Sequence, residues 1–251
     1  MPPVLHPLHA PIALALLTTL GSAQAQISGA TQDRWHWQLT PYVWMTGLHG
    51  DIHPGANLPS AHVSQSFSDV LDDLDAAFFL TGTARKDRYV VQADLSYASL
   101  SASASLPPGL PAHAKVKQTS LTLTGGYYWT LSPQDGLDAM AGLRAWELRS
   151  QLQAPPVLSM RLNHLFADPI VAMRWRHQWT PAWSTLLYAD IGGFGVGSHT
   201  TWQWLATVNY QWRDALYLSA GYRQLAVDYR TQAQRLNLRM GGPVLGVTWR
   251  F

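Results

Sequence analysis

Long stretches of this chain alternate, residue by residue, between apolar side chains and side chains that are polar yet seldom charged. From Trp35, one phase reads Trp35, Trp37, Leu39, Pro41, Val43, Met45, and the other His36, Gln38, Thr40, Tyr42, Trp44, Thr46. After Lys117, Thr119, Leu121, Leu123, Gly125, Tyr127, Trp129 alternate with Gln118, Ser120, Thr122, Thr124, Gly126, Tyr128. From Trp202, Trp202, Trp204, Ala206, Val208, Tyr210, Trp212 alternate with Gln203, Leu205, Thr207, Asn209, Gln211. The chain ends on Leu245, Val247, Trp249, Phe251 against Val244, Gly246, Thr248, Arg250. Successive side chains of a strand point to opposite faces, so each segment carries one apolar and one mostly polar face.

A soluble sandwich also alternates, but it turns charged residues to water. Here charged residues are only 13% of the 251-residue chain, against about 25% in a typical soluble domain. Few charges with 12 Trp and 10 Tyr also exclude disorder. Seventeen Lys and Arg against 15 Asp and Glu, unclustered, give no nucleic-acid footprint. With no Cys, disulfides, thiolate metal sites and Cys nucleophiles are excluded. No stretch of the body has about 18 consecutive apolar residues, so a spanning helix is not expected there. Strands that run past the usual 5–6 residues fit membrane crossing, which takes about 9–11 tilted residues.

The predicted fold is all-β: a closed antiparallel up-and-down transmembrane β-barrel. Strands are placed at about 35–48, 77–86, 88–104, 113–131, 137–153, 160–179, 182–197, 200–213, 215–230 and 235–251. That makes about ten, with twelve or eight as alternatives, twelve if 49–76 holds two further crossings. Short turns fall at Lys86-Asp87-Arg88, Ser132 to Gly136, Thr180-Pro181-Ala182 and Arg213-Asp214-Ala215. Longer links fall at Leu106 to Ala112, Ala154 to Ser159, Gly195 to Thr200 and Arg230 to Gln234, the layout of an outer-membrane barrel. Residues 66–75 read as a short acidic helix with Ser68 as N-cap, carrying Asp69, Asp72, Asp73 and Asp75. It would be a loop helix or a plug in the lumen, seated against the wall that Gly192, Gly193, Gly195 and Gly197 leave bare.

Trp35, Trp37, Trp129, Trp179, Trp183, Trp212 and Trp249, with Tyr217, all fall at the short-turn end under this topology. Trp and Tyr settle at bilayer interfaces because an apolar ring carries one polar edge. At the N-terminus, Pro11 to Leu20 is apolar and Ala23-Gln24-Ala25 follows, the pattern of a cleaved secretory signal over residues 1–25. Residues 26–251 would then form the barrel, exported to the cell outer membrane.

With the apolar phases outward, the lumen is lined by Arg85, Gln92, Asp94, Gln118, Arg144, Arg174, Arg176, Tyr188, Asp190, Gln203, Asn209, Gln211, Arg223 and Arg250. Six Arg face two Asp, which points to cross-lumen pairing or to a narrow path that favours anions. Near eight strands a barrel is filled by its own side chains, so ten imply a largely filled interior. The expected function is a structural or narrow porin-like channel protein for small solutes, anionic ones included. A rim enzyme of protease or lipase type, or a binding protein working through its loops, stands as an alternative. His49, Asp51 and His53 are a weak metal-ligand pattern. Ser198, His199 and Asp228 lack the spacing of a triad. No P-loop or dinucleotide fingerprint is present. No cofactor, catalytic residue or nucleic-acid partner is expected; the partners are outer-membrane lipid and the assembly machinery, and the barrel is a monomer.

Several segments carry a resemblance: Asp190 to Ser198 (DIGGFGVGS) with Thr201-Trp202-Gln203, Gly221-Tyr222-Arg223, Pro41-Tyr42-Val43-Trp44, Ser66-Phe67-Ser68-Asp69, and the ending from Gly242 to Phe251. Together they resemble a family of porin-like, largely uncharacterised outer-membrane β-barrel proteins of Gram-negative bacteria. The resemblance implies the barrel and says little of its activity. Trp249 and Phe251 at the terminus are similar to the signal read by the outer-membrane assembly machinery. Relatives are expected to carry Asp where this chain has His199. Independently of it, Gly241-Gly242-Pro243 should interrupt pairing in the last strand, since Pro cannot donate to a ladder.

Overall fold

The computed structural model describes residues 34–53, 61–106, 110–154, 158–230 and 235–251. The N-terminal apolar run and its Ala23-Gln24-Ala25 site lie outside them. The strands are β1 (His36–Trp44), β2 (Gly47–His53), β3 (Ala61–Gln65), β4 (Leu74–Lys86), β5 (Tyr89–Leu106), β6 (Leu110–Thr130), β7 (Asp135–Ala154), β8 (Leu158–Gln178), β9 (Trp183–Gly192), β10 (Thr200–Arg213), β11 (Leu216–Arg230) and β12 (Arg235–Arg250), with one helix, α1 (Phe67–Asp72), between β3 and β4. From β4 to β12 each strand pairs antiparallel with the next in sequence, and β1 pairs with both β4 and β12, which closes the ring. β1 and β2 are two halves of one crossing, as are β3 and β4, so the barrel has ten. The segment 49–76 therefore adds no crossing of its own, and the eight- and twelve-strand alternatives fall.

The break between β1 and β2 explains the glycine pair in the last strand. β12 pairs with β2 up to Gly241↔Gly47 and with β1 from Val244↔Trp44. Between them, the Met45 amide donates to the Pro243 carbonyl at 2.9 Å. A Cβ on Gly242 would stand 1.9 Å from the Met45 carbonyl oxygen, so only glycine admits this crossing backbone. Pairing with β11 runs unbroken through Gly242↔Arg223 and Pro243↔Tyr222. The expected interruption thus occurs on one edge of β12 only.

The links expected to be long are mostly strand. β5 and β6 pair out to Leu106↔Leu110, and β7 and β8 out to Ala154↔Leu158. The two ends of the barrel differ in how far the wall extends, more than in loop length. β6 and β8 have 21 residues each, about twice what a crossing needs. The exception is β9, which stops at Gly192 rather than near residue 197. Phe194 has φ 48°, Gly193 φ +89° and Gly195 φ +77°, left-handed values that end a strand.

Ser66, not Ser68, caps α1. Its hydroxyl accepts from the Asp69 amide at 3.3 Å, and the Asp69 carboxylate accepts the Ser66 amide at 2.8 Å. This reciprocal box needs an acidic residue three positions on; from Ser68 that position is Leu71. No residue of α1 is buried; its Asp69 and Asp72 are exposed, and Asp73, the C-cap that follows it, is half-buried. The helix sits on the rim, where the Ser101 amide donates to the Asp73 carbonyl at 2.8 Å. The plug expectation is therefore corrected: a six-residue helix with no buried face has nothing to hold it in a lumen. The glycine-lined turn packs instead on β8, where a Cβ on Gly197 would lie 2.4 Å from the Ala167 carbonyl oxygen.

Candidate functional site

Contacts between strands that are not neighbours define the interior. Three tiers of ion pairs cross it. Nearest the short turns, Arg85 of β4 donates to both carboxylate oxygens of Asp138 on β7, at 2.7 and 2.9 Å. Arg174 of β8 donates to the same Asp138 at 2.7 Å and reaches Gln92 at 2.7 Å and Thr83 at 3.1 Å. Arg176 lies 5.6 Å from the Tyr128 ring centre, on which Arg85 also packs at 4.4 Å, and its Nε is buried without a partner. Arg250 stacks on Tyr217 at 3.8 Å.

In the middle tier Asp94 of β5 accepts from Thr81 at 2.5 Å, from Tyr42 at 3.0 Å and from Arg223 at 3.0 Å. Arg223 also donates to Gln203 and to the Tyr42 hydroxyl, and packs over the Trp44 ring at 4.7 Å. In the third tier Arg144 of β7 forms a two-bond fork with Asp190 of β9, at 3.0 and 2.5 Å, and donates to Thr122 and Thr201. Such forks fix geometry as well as energy. Beyond it the inward side chains turn apolar: Trp44, Phe79, Trp146, Leu225, Val227, Met240 and Val244 make one buried cluster, and Phe166 stacks on Trp146.

Below that cluster the interior is not full. A cavity of about 110 Å³ is bounded by Tyr42, Asp94, Arg174, Tyr188, Gln203 and Arg223, among others. It shares Gln38, Thr83, Arg174 and Leu186 with a wider mouth of about 420 Å³ at the short-turn end, where Arg85, Arg176 and Arg250 also stand. The Tyr188 hydroxyl is buried without a partner. Four guanidinium groups thus face this mouth, with the Asp138 carboxylate bound to two of them.

The Arg residues placed in the lumen by sequence all occur on its wall, as do Asp94 and Asp190, with Gln92, Tyr188 and Gln203 buried beside them. Two acids were missed, Asp138 and Asp168, both fully buried. Each shares the inward phase of an Arg on its own strand, Asp138 with Arg144 and Asp168 with Arg174, so parity along the strand could have found them. Asp168 accepts the Ser198 amide at 2.5 Å and so ties the glycine turn to β8. Its other oxygen is buried without a partner. Asp75 turns to the outer wall, where it accepts from Ser99 and Ser101 and pairs with Lys115 at 3.1 Å.

The remaining candidates are dispersed. Asp51 pairs with His62 at 2.9 Å rather than joining a trio with His49, and the His53 side chain lies outside what the structure describes. Among the described residues no three His, Asp or Glu gather as metal ligands. The Ser198 hydroxyl has no hydrogen-bond partner, and the Asp228 carboxylate is engaged by Arg230 at 2.8 and 2.5 Å, so these two and His199 do not form a triad. On the outer wall Trp35, Trp37, Trp129, Trp179, Trp183, Trp212 and Trp249 are all exposed. They lie toward the short turns with Tyr89, Tyr127, Tyr210 and Phe251, and pair as Trp35–Trp37, Tyr127–Trp129, Trp183–Tyr210 and Trp249–Phe251.

A closed ten-strand barrel with an aromatic outer ring and an ion-paired interior is the architecture of outer-membrane barrels. The chain is similar in structure to the outer membrane protease OmpT from Escherichia coli, with TM-score 0.53 and 7% identity over 90% of this chain and 99% of that one. It is similar also to the translocator domain of the autotransporter NalP from Neisseria meningitidis, with TM-score 0.50, 11% identity and 90% of each chain covered. At these identities the likeness is one of fold. No protein-family model matches the chain, and no curated protein matches it.

Proposed function

We propose that this chain is an outer-membrane β-barrel that takes small anions into its interior from the short-turn, periplasmic side, and that the apolar tier above the cavity is the constriction of a narrow channel. The exposed Trp ring supports the membrane placement. Residues 1–25 act as the cleaved export signal, and Trp249 and Phe251 as the segment handed to the assembly machinery, which delivers a monomer. The observation that carries the anion reading is the mouth. It is lined by Arg85, Arg174, Arg176 and Arg250 and narrows to a cavity sized for a small ion with a few waters. A barrel serving only as a scaffold would have been filled there by side chains.

The constriction provides the test. In planar bilayers, Trp44→Ala with Trp146→Ala should convert a barrel with rare, small openings into one with steady current steps. Those steps should favour chloride over potassium. Arg174→Gln with Arg176→Gln on that background should reduce the preference. Steps that favour potassium, or no steps from the widened and folded barrel, would overturn the channel reading.

A further inference from the structure

The outer wall has a band structure that can be measured along β6. Its outward side chains run Trp129, Tyr127, Gly125, Leu123, Leu121, Thr119, and then Lys117, Lys115. The ten steps from Trp129 to Thr119, at about 3.3 Å each and tilted by about 40°, span about 25 Å. That is the height of a barrel's apolar band, so Lys117 stands immediately past it, at headgroup depth on the side away from the Trp ring.

Lys117 has a like charge beside it. In the β6–β7 register it lies opposite Arg149, and Arg149 lies opposite Asn163 of β8. One step further out, Lys115, Gln151 and Arg161 are aligned in the same way. Lys117, Arg149 and Arg161 are exposed. Like charges directly opposite across two strands destabilise a sheet. Local acids relieve this only in part: Glu147 engages Arg149, and Asp75 engages Lys115. Beneath the patch, on the same strands, the outward side chains are apolar: Leu121, Leu123, Leu143 and Leu165 stand exposed, with Ala145 and Ala167 between them. Lower in the band, Gly125, Ala139, Ala141 and Ala189 line a furrow of about 690 Å³ flanked by Tyr127, Val171 and Met173. A basic patch at headgroup depth above an exposed apolar wall matches a lipid with an anionic head better than a free anion.

We infer that the outer wall of β6, β7 and β8 binds a phosphorylated lipid headgroup of the leaflet on the side away from the short turns. The phosphate sits between Lys117 and Arg149, with Lys115 and Arg161 one step beyond. This rests on the membrane placement proposed above and not on the channel. The experiment uses the full chain reconstituted in phosphatidylcholine nanodiscs, doped with either lipid A or its dephosphorylated form. Lipid retained by the purified particle is then counted by mass spectrometry. The intact barrel should retain the phosphorylated lipid at least tenfold over the dephosphorylated one. Lys117→Gln with Arg149→Gln should remove most of that preference, and Lys115→Gln with Arg161→Gln a smaller part. Unchanged retention by the Lys117, Arg149 variant would overturn the proposal. So would displacement of the lipid by millimolar inorganic phosphate, which would mark a site for free anions. Quenching of Trp emission by brominated acyl chains separates the two claims. A folded chain that is not quenched overturns the membrane placement and this site with it. A quenched chain with no preference overturns this site alone.

Discussion

Asp138 is a fully buried carboxylate shared by Arg85 and Arg174. Desolvating three charged groups costs several kcal/mol each, and only their mutual attraction and the hydrogen bonds around them offset it. Asp138→Ala would leave two guanidinium groups facing Arg176 with no counter-charge. The expected loss is about 3–5 kcal/mol, read as a lower urea midpoint for the folded barrel in detergent. An unfolding free energy within about 0.5 kcal/mol of the parent, the effect of an ordinary surface change, would show that water already compensates these charges. The six inward Arg were legible in sequence because an Arg on a lipid face is costly, which fixes the phase of its strand. Asp138 obeys the same parity. It escaped because it lies six residues before Arg144, close to a turn, where an acid reads as a turn residue. The apolar tier escaped for a different reason. Trp44, Trp146 and Leu225 share the phase of Tyr42, Arg144 and Arg223, so parity turns them inward; that they meet in one apolar cluster is visible only in contacts across the barrel.

At the scale of elements, alternation and turn signals located all ten crossings, and strand ends were the weak point. β6 begins at Leu110 rather than near residue 113 because Pro111 and Ala112 read as a link, yet they pair with Ser105 and Ala104 of β5. The β1–β2 break was invisible because Met45 and Thr46 continue the alternation; its sign was Gly242 on the partner strand. The helix was legible, and its cap was misplaced by two residues. That cap has a pH signature. Hydrogen bonds from the Ser66 side chain, and then from its backbone, hold the Asp69 carboxyl below its ordinary value. A group with a depressed folded pKa contributes stability that is fully present above its unfolded value, about 3.9 for Asp. It loses that contribution as pH falls through the lower folded value. Protection of the Asp69 and Val70 amides against exchange, measured relative to their unfolded rates, should therefore hold above about pH 4 and fall, relative to neighbours in β4, as pH drops further. Ser66→Ala should remove the larger part of that difference, since only the bond from the Ser66 backbone amide to the Asp69 carboxylate remains. Equal protection of those amides in the parent and in Ser66→Ala would overturn the role of the cap.

For the whole molecule, the question is whether the interior tiers seal the barrel or hold it together. The Arg144–Asp190 fork joins β7 to β9 across β8, with both side chains almost fully inaccessible. Removing one partner strands the other, whereas replacing both with apolar groups of similar volume is often neutral or stabilising. Asp190→Ala should therefore lower the unfolding free energy by about 3–5 kcal/mol. Arg144→Met with Asp190→Leu should come within about 1.5 kcal/mol of the parent, as volume-conserving core changes do. The two results together give the coupling between the residues. The same pair separates sealing from cohesion. The apolar double variant keeps the cross-section filled, so its bilayers should stay as quiet as those of the parent. Asp190→Ala opens a void beside a charged Arg144 and should flicker, with anions favoured. Equal stability losses in the single and double variants would show that the fork contributes by packing alone, and that charge at this tier has no part in holding the wall.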